Sequence, residues 1–422
     1  MVIHVVQRGD TLWAISQTYG VPINQIVSAN ELESPNNLVI GLALVIPTSY
    51  KVHMVRSGET LWQIANQYQV PLQELIRQNN IQNPNVLFPG TRLTIPFRKP
   101  IIDVNAYTTN QGEQAGKEIQ EVGSLLTYAS PFAYTMTADG GLTPINDTAF
   151  LQAAKATGAV PMLCITNFTY RDPGSRLAHT ILSSADLQDR LLTNAITIMR
   201  AKGYQGINID FENVYPEDRE NYNQFLQRAV NRLHPEGFFV STALAPKTSG
   251  DQKGLLYEAH DYPAHGRIVD FVVLMTYEWG YRLGPPQSIS PLNQIRRVLD
   301  YAVSVIPRDK IFMGFQVYAR DWLLPHVKGQ EAETFSMQEA IRRATKYGAT
   351  IQYDNTTQSP FFTYQDQQGR SHVVWFEDAR SAQAKFDTVK EYRLRGVSYW
   401  ALGYPFPQNW QLLRGNFTIR KR

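Results

Sequence analysis

One apolar stretch of the chain carries three polar side chains at alternate positions. Asn208, Asp210 and Glu212 lie in the sequence GINIDFENV, which spans residues 206–214. Alternate side chains of a β-strand share one face, so these groups are expected to line up together. Burying such carboxylates without compensation costs on the order of several kcal/mol per ion. Repulsion between neighbouring carboxylates raises the pKa of one of them, which then suits general acid catalysis. A satisfied polar ladder in the core is the structural alternative.

The composition argues against several other kinds of site. The chain has 422 residues and a formal net charge of +3, without long blocks of either sign, so no nucleic-acid-binding surface is expected. Cys164 is the only cysteine, which excludes a disulfide framework and a cysteine-built zinc site. HExxH, GxxxxGK[ST] and GxSxG patterns are all missing. We therefore expect neither a metal nor a cofactor.

Nothing in the sequence indicates export or membrane anchorage. Residues 1–13 show no basic segment followed by an apolar run and a cleavage site. Elsewhere, no apolar run is long enough to span a bilayer. We therefore expect a protein without a signal peptide or a membrane span.

From residue 101 onwards, strand-like and helix-like segments alternate. Eight segments read as strands: Ile102–Tyr107, Leu125–Tyr134, Ala159–Asn167, Gly206–Glu212, Phe238–Ala245, Val269–Tyr277, Ile311–Tyr318 and Gly396–Leu402. Helical patterns follow several of them: Thr148–Thr157, Asp186–Lys202, Asp218–His234 and Pro291–Val305. This alternation predicts an α/β fold, a (β/α)8 TIM barrel over residues 101–422. Glu212 then stands at the carboxyl end of the fourth strand, where barrel enzymes place their sites.

The interval between the seventh and eighth strands interrupts this rhythm. It contains a helical pattern, Ser336–Tyr347, and the strand-like pieces TIQYDNTT, PFFTYQD and HVVWFED. These pieces predict a small α+β insertion after strand 7, at about residues 324–378.

The first hundred residues contain an internal repeat. A constant offset of 49 residues relates Gly9 to Gly58 and Pro47 to Pro96, so one small module occurs twice, at residues 1–48 and 50–97. Each copy predicts a βααβ unit. Its first helix is opened by Thr11 or Thr60, and its second begins at Ile23 or Leu72. The helical spacing of the larger apolar residues predicts that they form the core: Trp13, Ile15, Tyr19, Trp62, Ile64 and Tyr68.

Both copies resemble the LysM module, which binds glycans that contain N-acetylglucosamine. The resemblance rests on the pattern V-x-x-GDTLW-x-IA…Y-x-V…L-x-x-N…G-x-x-L-x-IP and covers residues 2–96. It implies a shallow groove between the loop before the first helix and the segment before the last strand, residues 37–40 or 85–88. The glycan-binding residues implied in this way are Asp10, Thr11, Leu12, Glu59, Thr60 and Leu61.

The remaining chain resembles family 18 of the glycoside hydrolases, the chitinases and related endo-glucosaminidases. YQGINIDFE at 204–212 is similar to the DGxDxDxE signature, although Gln205 stands where the signature has Asp or Asn, and Asn208 occupies the first inner Asp position. VLMTYEWG, GFQVYARDW and GVSYWALG are similar to later strands of the family, and the resemblance spans roughly residues 101–415. It implies a retaining mechanism in which the acetamido oxygen of the substrate is the nucleophile.

The resemblance also implies roles for individual residues. Glu212 would protonate the glycosidic oxygen, Asp210 would hold the acetamido N–H, and Tyr277 would bond the acetamido oxygen. Asn208 occupies a position of the catalytic signature, and Trp400 would lie beneath the sugar ring. Further candidates for substrate contact are Glu278, which replaces the usual Asp, together with Tyr107, Phe132, Tyr318 and Asn167.

These resemblances together imply a monomeric endo-β-N-acetylglucosaminidase that hydrolyses peptidoglycan. The architecture is similar to that of spore cortex-lytic glucosaminidases of bacilli, which also lack a signal peptide. The expected partner is therefore cortex glycan containing N-acetylglucosamine and muramic δ-lactam, and the expected location is the coat/cortex boundary of the spore. Two alternatives remain, a chitinase and a non-catalytic glycan-binding barrel. The presence of Asp210, Glu212 and Tyr277 favours an enzyme.

Overall fold

The computed structural model describes residues 1–48, 51–68, 70–96, 99–169 and 172–422. Its first part consists of two βααβ modules, each closed by an antiparallel strand pair. The first comprises β1 (Val2–Val5), α1 (Leu12–Tyr19), α2 (Ile23–Asn30) and β2 (Ala43–Ile46). The second comprises β3 (Lys51–Met54), α3 (Leu61–Gln67), α4 (Leu72–Gln78) and β4 (Arg92–Ile95).

The first helix of each module begins where the sequence predicts. Thr11 caps α1 by accepting from the N–H of Ala14. Thr60 caps α3 and forms a capping box with Gln63. The predicted starts of the second helices are also confirmed.

The core prediction for these helices is only partly correct. Ile15 and Ile64 are buried, as predicted. The prediction that Trp13 and Trp62 belong to the core is wrong, because their side chains are 66% and 64% exposed. Leu12 and Ile15 lie three residues apart and share the buried face of α1. Trp13 follows Leu12 directly, so it points about 100° away from that face, toward solvent.

The next part of the chain forms the predicted closed barrel. Its eight parallel strands are β5 (Ile101–Thr108), β6 (Tyr128–Pro131), β8 (Val160–Thr166), β9 (Gly206–Asp210), β10 (Phe239–Leu244), β11 (Phe271–Leu274), β12 (Ile311–Gln316) and β18 (Gly396–Trp400). The short strand β7 (Tyr134–Thr135) also pairs with β8, and β19 (Thr418–Ile419) pairs with β5, both in parallel. The barrel closes where β18 pairs with β5, and a Cβ at Gly396 would collide with the carbonyl oxygen of Asp103.

Helices cover the outside of the barrel. They are α5 (Gly112–Val122), α6 (Thr148–Thr157), α7 (Ser175–Leu182), α8 (Ala185–Lys202), α9 (Arg219–Leu233), α10 (Tyr262–Ile268), α11 (Leu292–Val305), α13 (Ala379–Tyr392) and α14 (Pro407–Asn416). Among the residues that the structure describes, no helix is long and apolar enough to cross a membrane.

The insertion after the seventh barrel strand is an antiparallel sheet packed with one helix. It contains β13 (Ala319–Leu324), β14 (Glu333–Phe335), α12 (Met337–Tyr347), β15 (Gln352–Asp354), β16 (Ser359–Gln365) and β17 (Ser371–Trp375). The strands are ordered β14-β13-β17-β16-β15. The sequence segment GFQVYARDW is divided between two sheets, since β12 ends at Gln316 and β13 begins at Ala319. The antiparallel sheet therefore begins a few residues before the predicted insertion.

The two modules differ in their relation to the barrel. Buried residues of the first module, such as Leu44 and Ile46, belong to the same hydrophobic core as the barrel strands. Those of the second module, including Ile64 and Leu75, form a separate cluster. The first module is therefore part of the main body, whereas the second has a small core of its own.

Candidate active site

The polar residues of the fourth barrel strand lie at the carboxyl end of the barrel. Asn208 and Asp210 belong to β9, and Glu212 follows its last residue. Asp210 and Glu212 face a cleft of about 630 Å³. Among the residues that line the cleft are Tyr107, Asp210, Glu212, Tyr277, Glu278 and Trp400. The structure therefore brings together most of the residues selected from the barrel sequence.

Asn208 does not line the cleft but is bonded to Tyr107, which does. Its Oδ1 accepts a hydrogen bond from the Tyr107 hydroxyl (2.9 Å), and its Nδ2 donates to Ser241 Oγ (3.0 Å). The thiol of Cys164 lies 3.7 Å from Asn208 Oδ1. Because Asn208 is fully buried and bonded on both sides, it fixes the neighbouring strands.

Asp210 is buried but not fully hydrogen-bonded. The side chain is 5% exposed, and its Oδ1 has no hydrogen-bond partner among the described residues. A buried acceptor without a partner is costly in a folded protein and calls for an explanation. Burial, with a further contribution from the charge of Glu212, raises the pKa of Asp210 well above its ordinary value. Asp210 is thus an acceptor available to a ligand in the cleft.

Glu212 holds its proton more tightly than an ordinary carboxyl group. Burial raises its pKa to about 7, and the charge of Glu278 adds to this effect. The sequence prediction attributed the raised pKa to Asp210, whereas here burial acts first and Glu278 second. A carboxyl group with this pKa can both donate and accept a proton near neutral pH.

The backbone of Glu212 is fixed by Asn167. Asn167 Nδ2 donates to the carbonyl of Glu212 (2.8 Å), and the N–H of Glu212 donates to Asn167 Oδ1 (2.9 Å). A further bond from Asn167 Nδ2 reaches the carbonyl of Gly174. The expectation that Asn167 contacts substrate is therefore corrected, because its amide is engaged by the backbone. It positions Glu212 instead.

Glu278 is accommodated by a partner that sequence reasoning missed. Arg320, at the start of the insertion, donates from both terminal nitrogens to the two carboxylate oxygens of Glu278, at 2.9 and 2.8 Å. The hydroxyl of Tyr318 also donates to Glu278. Arg320 is buried and stands 42 residues further along the chain, so no local spacing pointed to it. The sequence offered one indirect signal: Glu278 adds a third carboxylate to the site, and such a group needs a cation as partner.

Aromatic rings surround Trp400 at the base of the cleft. The ring of Tyr277 lies parallel to that of Trp400 at 6.5 Å, and Phe132 meets it edge-on at 4.7 Å. Tyr107 approaches Trp400 at 5.7 Å, but its hydroxyl is bonded to Asn208. Trp400 is half-buried. It can therefore offer a face to a ligand, while the rings around it hold its orientation.

The predicted glycan-binding side chains of the modules are engaged in local structure. Asp10 accepts from His4 (2.9 Å) and from the backbone of Gln7 (2.7 Å), and Glu59 makes the same two bonds to His53 and Arg56. These backbone bonds lower the pKa of each acid.

Two of the module predictions are corrected. Leu12 and Leu61 are buried in the module cores, so their side chains are not exposed for glycan contact. Thr11 and Thr60 remain exposed at the helix caps. Among the described residues, no group of three or more His, Cys, Asp and Glu side chains is placed to hold a metal ion.

Comparison with known proteins gives matches over the whole chain. The model of glycosyl hydrolases family 18 matches residues 109–404, and the LysM domain model matches residues 4–47 and 53–96. The cortical fragment-lytic enzyme of Bacillus subtilis (strain 168) is 50% identical, and the alignment covers 100% of this chain and 99% of the relative. That of Bacillus anthracis is 45% identical with the same coverage. The crystal structure of the Bacillus megaterium QM B1551 spore cortex-lytic enzyme SleL matches with a TM-score of 0.90 at 42% identity, covering 100% of this chain and 99% of that one.

Proposed function

Since the chain belongs to glycosyl hydrolase family 18 and carries two LysM domains, we propose that this glycoside hydrolase degrades spore-cortex peptidoglycan and leaves N-acetylglucosamine at the new reducing end. Full-length relatives named cortical fragment-lytic enzymes support this substrate. The observation that carries the catalytic assignment is the pair formed by the buried Asp210 and the half-buried Glu212, both with raised pKa values, at the mouth of the barrel.

The reaction begins with proton donation by Glu212. Its carboxyl proton moves to the glycosidic oxygen, and the bond from that oxygen to the anomeric carbon breaks. The acetamido oxygen of the same sugar attacks the anomeric carbon and closes a five-membered ring. Asp210 Oδ1 accepts the hydrogen bond of the acetamido N–H, which becomes positively polarised. The unpartnered state of this oxygen supports that role.

Water then opens the cyclic intermediate. Glu212, now a carboxylate, takes a proton from the water as it attacks the anomeric carbon, and the acetamido group is restored. Two displacements at the same carbon retain its configuration. In this proposal Tyr277 donates to the acetamido oxygen and Trp400 supports the apolar face of the ring. Both residues line the cleft, which supports these roles.

The chemistry also selects the bond that is cut. A muramic δ-lactam has its nitrogen tied into a ring with the lactyl arm, so it cannot supply the acetamido nucleophile. Ordinary N-acetylmuramic acid keeps its acetamido group, but it would have to fit its bulky 3-substituent over Trp400. We therefore propose that the sugar above Trp400 is N-acetylglucosamine. Chitin contains the same reactive sugar, and a chitinase remains the second candidate because the catalytic residues are the same.

The LysM modules are proposed to retain the enzyme on the glycan without adding chemistry. Linked modules raise the local concentration of the catalytic domain on an insoluble substrate. The equivalent exposed side chains of Trp13 and Trp62 support a surface role for both copies. We propose that the enzyme is a monomer and acts at the coat/cortex boundary of the spore. Its three proposed domains are residues 1–48, 50–97 and 101–422.

Two measurements test the proposed reaction. Glu212→Gln is expected to lower kcat about 100-fold or more with little change in substrate affinity, because only proton donation is lost. Glu217→Gln, an exposed neighbour, is the matched control. Mass spectrometry of borohydride-reduced digests of cortex fragments is expected to identify reduced N-acetylglucosamine. Reduced muramic acid or its lactam as the main terminus would contradict the proposed bond, and digestion of chitin oligomers alone would favour a chitinase.

A further inference from the structure

The first LysM module is fixed against the insertion, unlike the second. The N–H of Ile351 donates to the carbonyl of Ile40 (2.9 Å), and Arg380 donates to the carbonyl of Gly41 (3.1 Å). A Cβ at Gly41, where φ is +85°, would collide with the Ile351 carbonyl oxygen. The equivalent Gly90 has φ +83°, and no described atom lies within 4 Å of its Cβ position. Of these two equivalent glycines, only Gly41 is packed against another part of the described structure.

This docking creates a cleft separate from the active site. Its volume is about 710 Å³, and we call it the module–insertion cleft. One wall is the loop between α2 and β2, and the other consists of α12, β16 and β17. Clefts of roughly 300–1,000 Å³ between domains are common ligand sites. Its size is similar to that of the catalytic cleft.

The two walls of the module–insertion cleft carry opposite net charges. Glu31 and Glu33 stand on the module wall. The insertion wall carries both signs, and its cations outnumber its acids: Arg342, Arg343, Lys346 and Arg370 against Glu333, Glu339 and Asp366. Two of these cations are paired on their own wall, Arg342 with Glu339 (2.7 Å) and Arg370 with Asp366 (2.6 Å). One ion pair, Glu33 with Arg342 at 3.3 Å, bridges the walls. Both partners of this pair are more than half exposed, so it is weak and can exchange for a ligand.

The insertion wall is rigid, and its aromatic rings are covered. Tyr364 is stacked between Tyr347 (4.4 Å) and His372 (4.7 Å), so neither face of its ring is open to a sugar. Lys346 lies over the Tyr347 ring at 5.0 Å. Asp321 accepts hydrogen bonds from Tyr364 and His372, which fixes the stack. The cleft consequently offers charged groups rather than a sugar platform.

We propose that the module–insertion cleft binds the peptide arm of peptidoglycan, a short peptide with free carboxylates and a free amine. The carboxylates bind Lys346 and compete with Glu339 and Asp366 for the exposed Arg342 and Arg370, while the amine binds the acidic wall. Asn37, in the loop segment assigned to the glycan groove of the first module, also lines this cleft. A peptide attached to a glycan held there would therefore reach the cleft. This inference rests on the proposed function for the presence of peptidoglycan.

Calorimetry on the full-length protein tests the proposal. The probe is the tetrapeptide L-alanyl-γ-D-glutamyl-meso-diaminopimelyl-D-alanine, titrated into the Glu212→Gln protein so that no glycan is cut. Adding Lys346→Glu and Arg370→Glu is expected to weaken binding about tenfold or more, as for loss of a charge-assisted hydrogen bond. Lys155→Glu is the matched control, since Lys155 and Lys346 are exposed last-turn lysines of helices that end at left-handed glycines. Chitotetraose binding is expected to be unchanged.

A second pair of variants tests the docking itself. Gly41→Ala and Gly90→Ala strain the backbone in the same way, but only Gly41→Ala pushes the module away from Ile351. Peptide binding is expected to fall in Gly41→Ala alone. Equal effects of the two variants, no peptide binding at all, or chitotetraose binding that depends on Lys346 and Arg370 would each overturn the proposal. Peptide binding by a protein that does not digest cortex would instead contradict only the proposed function.

Discussion

At the scale of single residues, burial and then the charge of Glu278 set the acidity of Glu212. Glu278 adds negative charge beside Glu212, and Arg320 neutralises part of that charge through two hydrogen bonds to the Glu278 carboxylate. In the proposed reaction Glu212 must be protonated to act as an acid, so activity is expected to fall as the pH rises through about 7. Burial and the charge of Glu278 are therefore expected to set the upper pH limit together.

Substitution of these neighbours is expected to move that limit in opposite directions. Glu278→Gln removes a negative charge and lowers the pKa of Glu212, so the alkaline limb of the kcat–pH profile moves to lower pH. Arg320→Gln leaves Glu278 uncompensated and moves the limb to higher pH. The profile is measured on soluble cortex fragments. A shift of both variants in the same direction would contradict this arrangement.

Glu212 also links stability to pH. Its folded pKa of about 7 lies above the ordinary carboxyl value, so the folded state holds the proton more tightly. Stability contributed by this proton is complete below the ordinary value and is lost as the pH rises to about 7. Glu212→Gln avoids that loss, and its Tm advantage over the native protein is expected to grow between about pH 5 and pH 8. The exposed control Glu217→Gln is expected to show no such trend.

At the scale of elements, a buried ion pair connects α13 to the base of the insertion. Lys385 donates to Glu377 (2.7 Å), and Gln316 of β12 donates to the other oxygen of Glu377 (2.9 Å). Lys385 and Glu377 are almost completely buried. Removal of one partner leaves a buried charge uncompensated, which is more costly than the pair is stabilising.

Lys385→Met is therefore expected to lower the free energy of unfolding by about 3–5 kcal/mol. Lys253→Met removes a lysine from the exposed pair with Glu258. This substitution is expected to change the free energy of unfolding by about 0–1 kcal/mol. Denaturant unfolding of both variants measures the difference. If the two substitutions lowered the free energy of unfolding equally, another group would have to compensate the charge of Glu377.

Periodicity predicted the elements better than it predicted their partners. The alternating polarity of β9 was sufficient to place Asp210 and Glu212 on one face at the mouth of a barrel. Trp13 was assigned wrongly because one short helix contains too few turns for spacing alone to define its buried face. The roles of Asn167 and Arg320 depend on contacts with residues about 40 or more positions away, which a single sequence does not reveal.

At the scale of the whole molecule, the two modules are expected to unfold differently despite their common sequence pattern. Ile15 and Ile64 are equivalent and buried, but Ile15 belongs to the main core and Ile64 to the small core of the second module. Truncation of such a residue to Ala costs about 2–5 kcal/mol in the unit that contains it.

Differential scanning calorimetry distinguishes the two cases. Ile15→Ala is expected to lower the Tm of the main transition, which includes the barrel. Ile64→Ala is expected to shift only a separate, small transition of the second module. If Ile64→Ala lowers the main transition as much as Ile15→Ala, the second module is coupled to the barrel.

Cys164 is fully buried beside Asn208, and burial raises the pKa of its thiol well above the ordinary value. It is also the only cysteine of the chain. A maleimide reagent therefore cannot react with this thiol until the barrel opens, so the rate of labelling measures how often the barrel opens. A cysteine engineered on the surface would, for the same reason, take a fluorophore or spin label at a single place in the native protein.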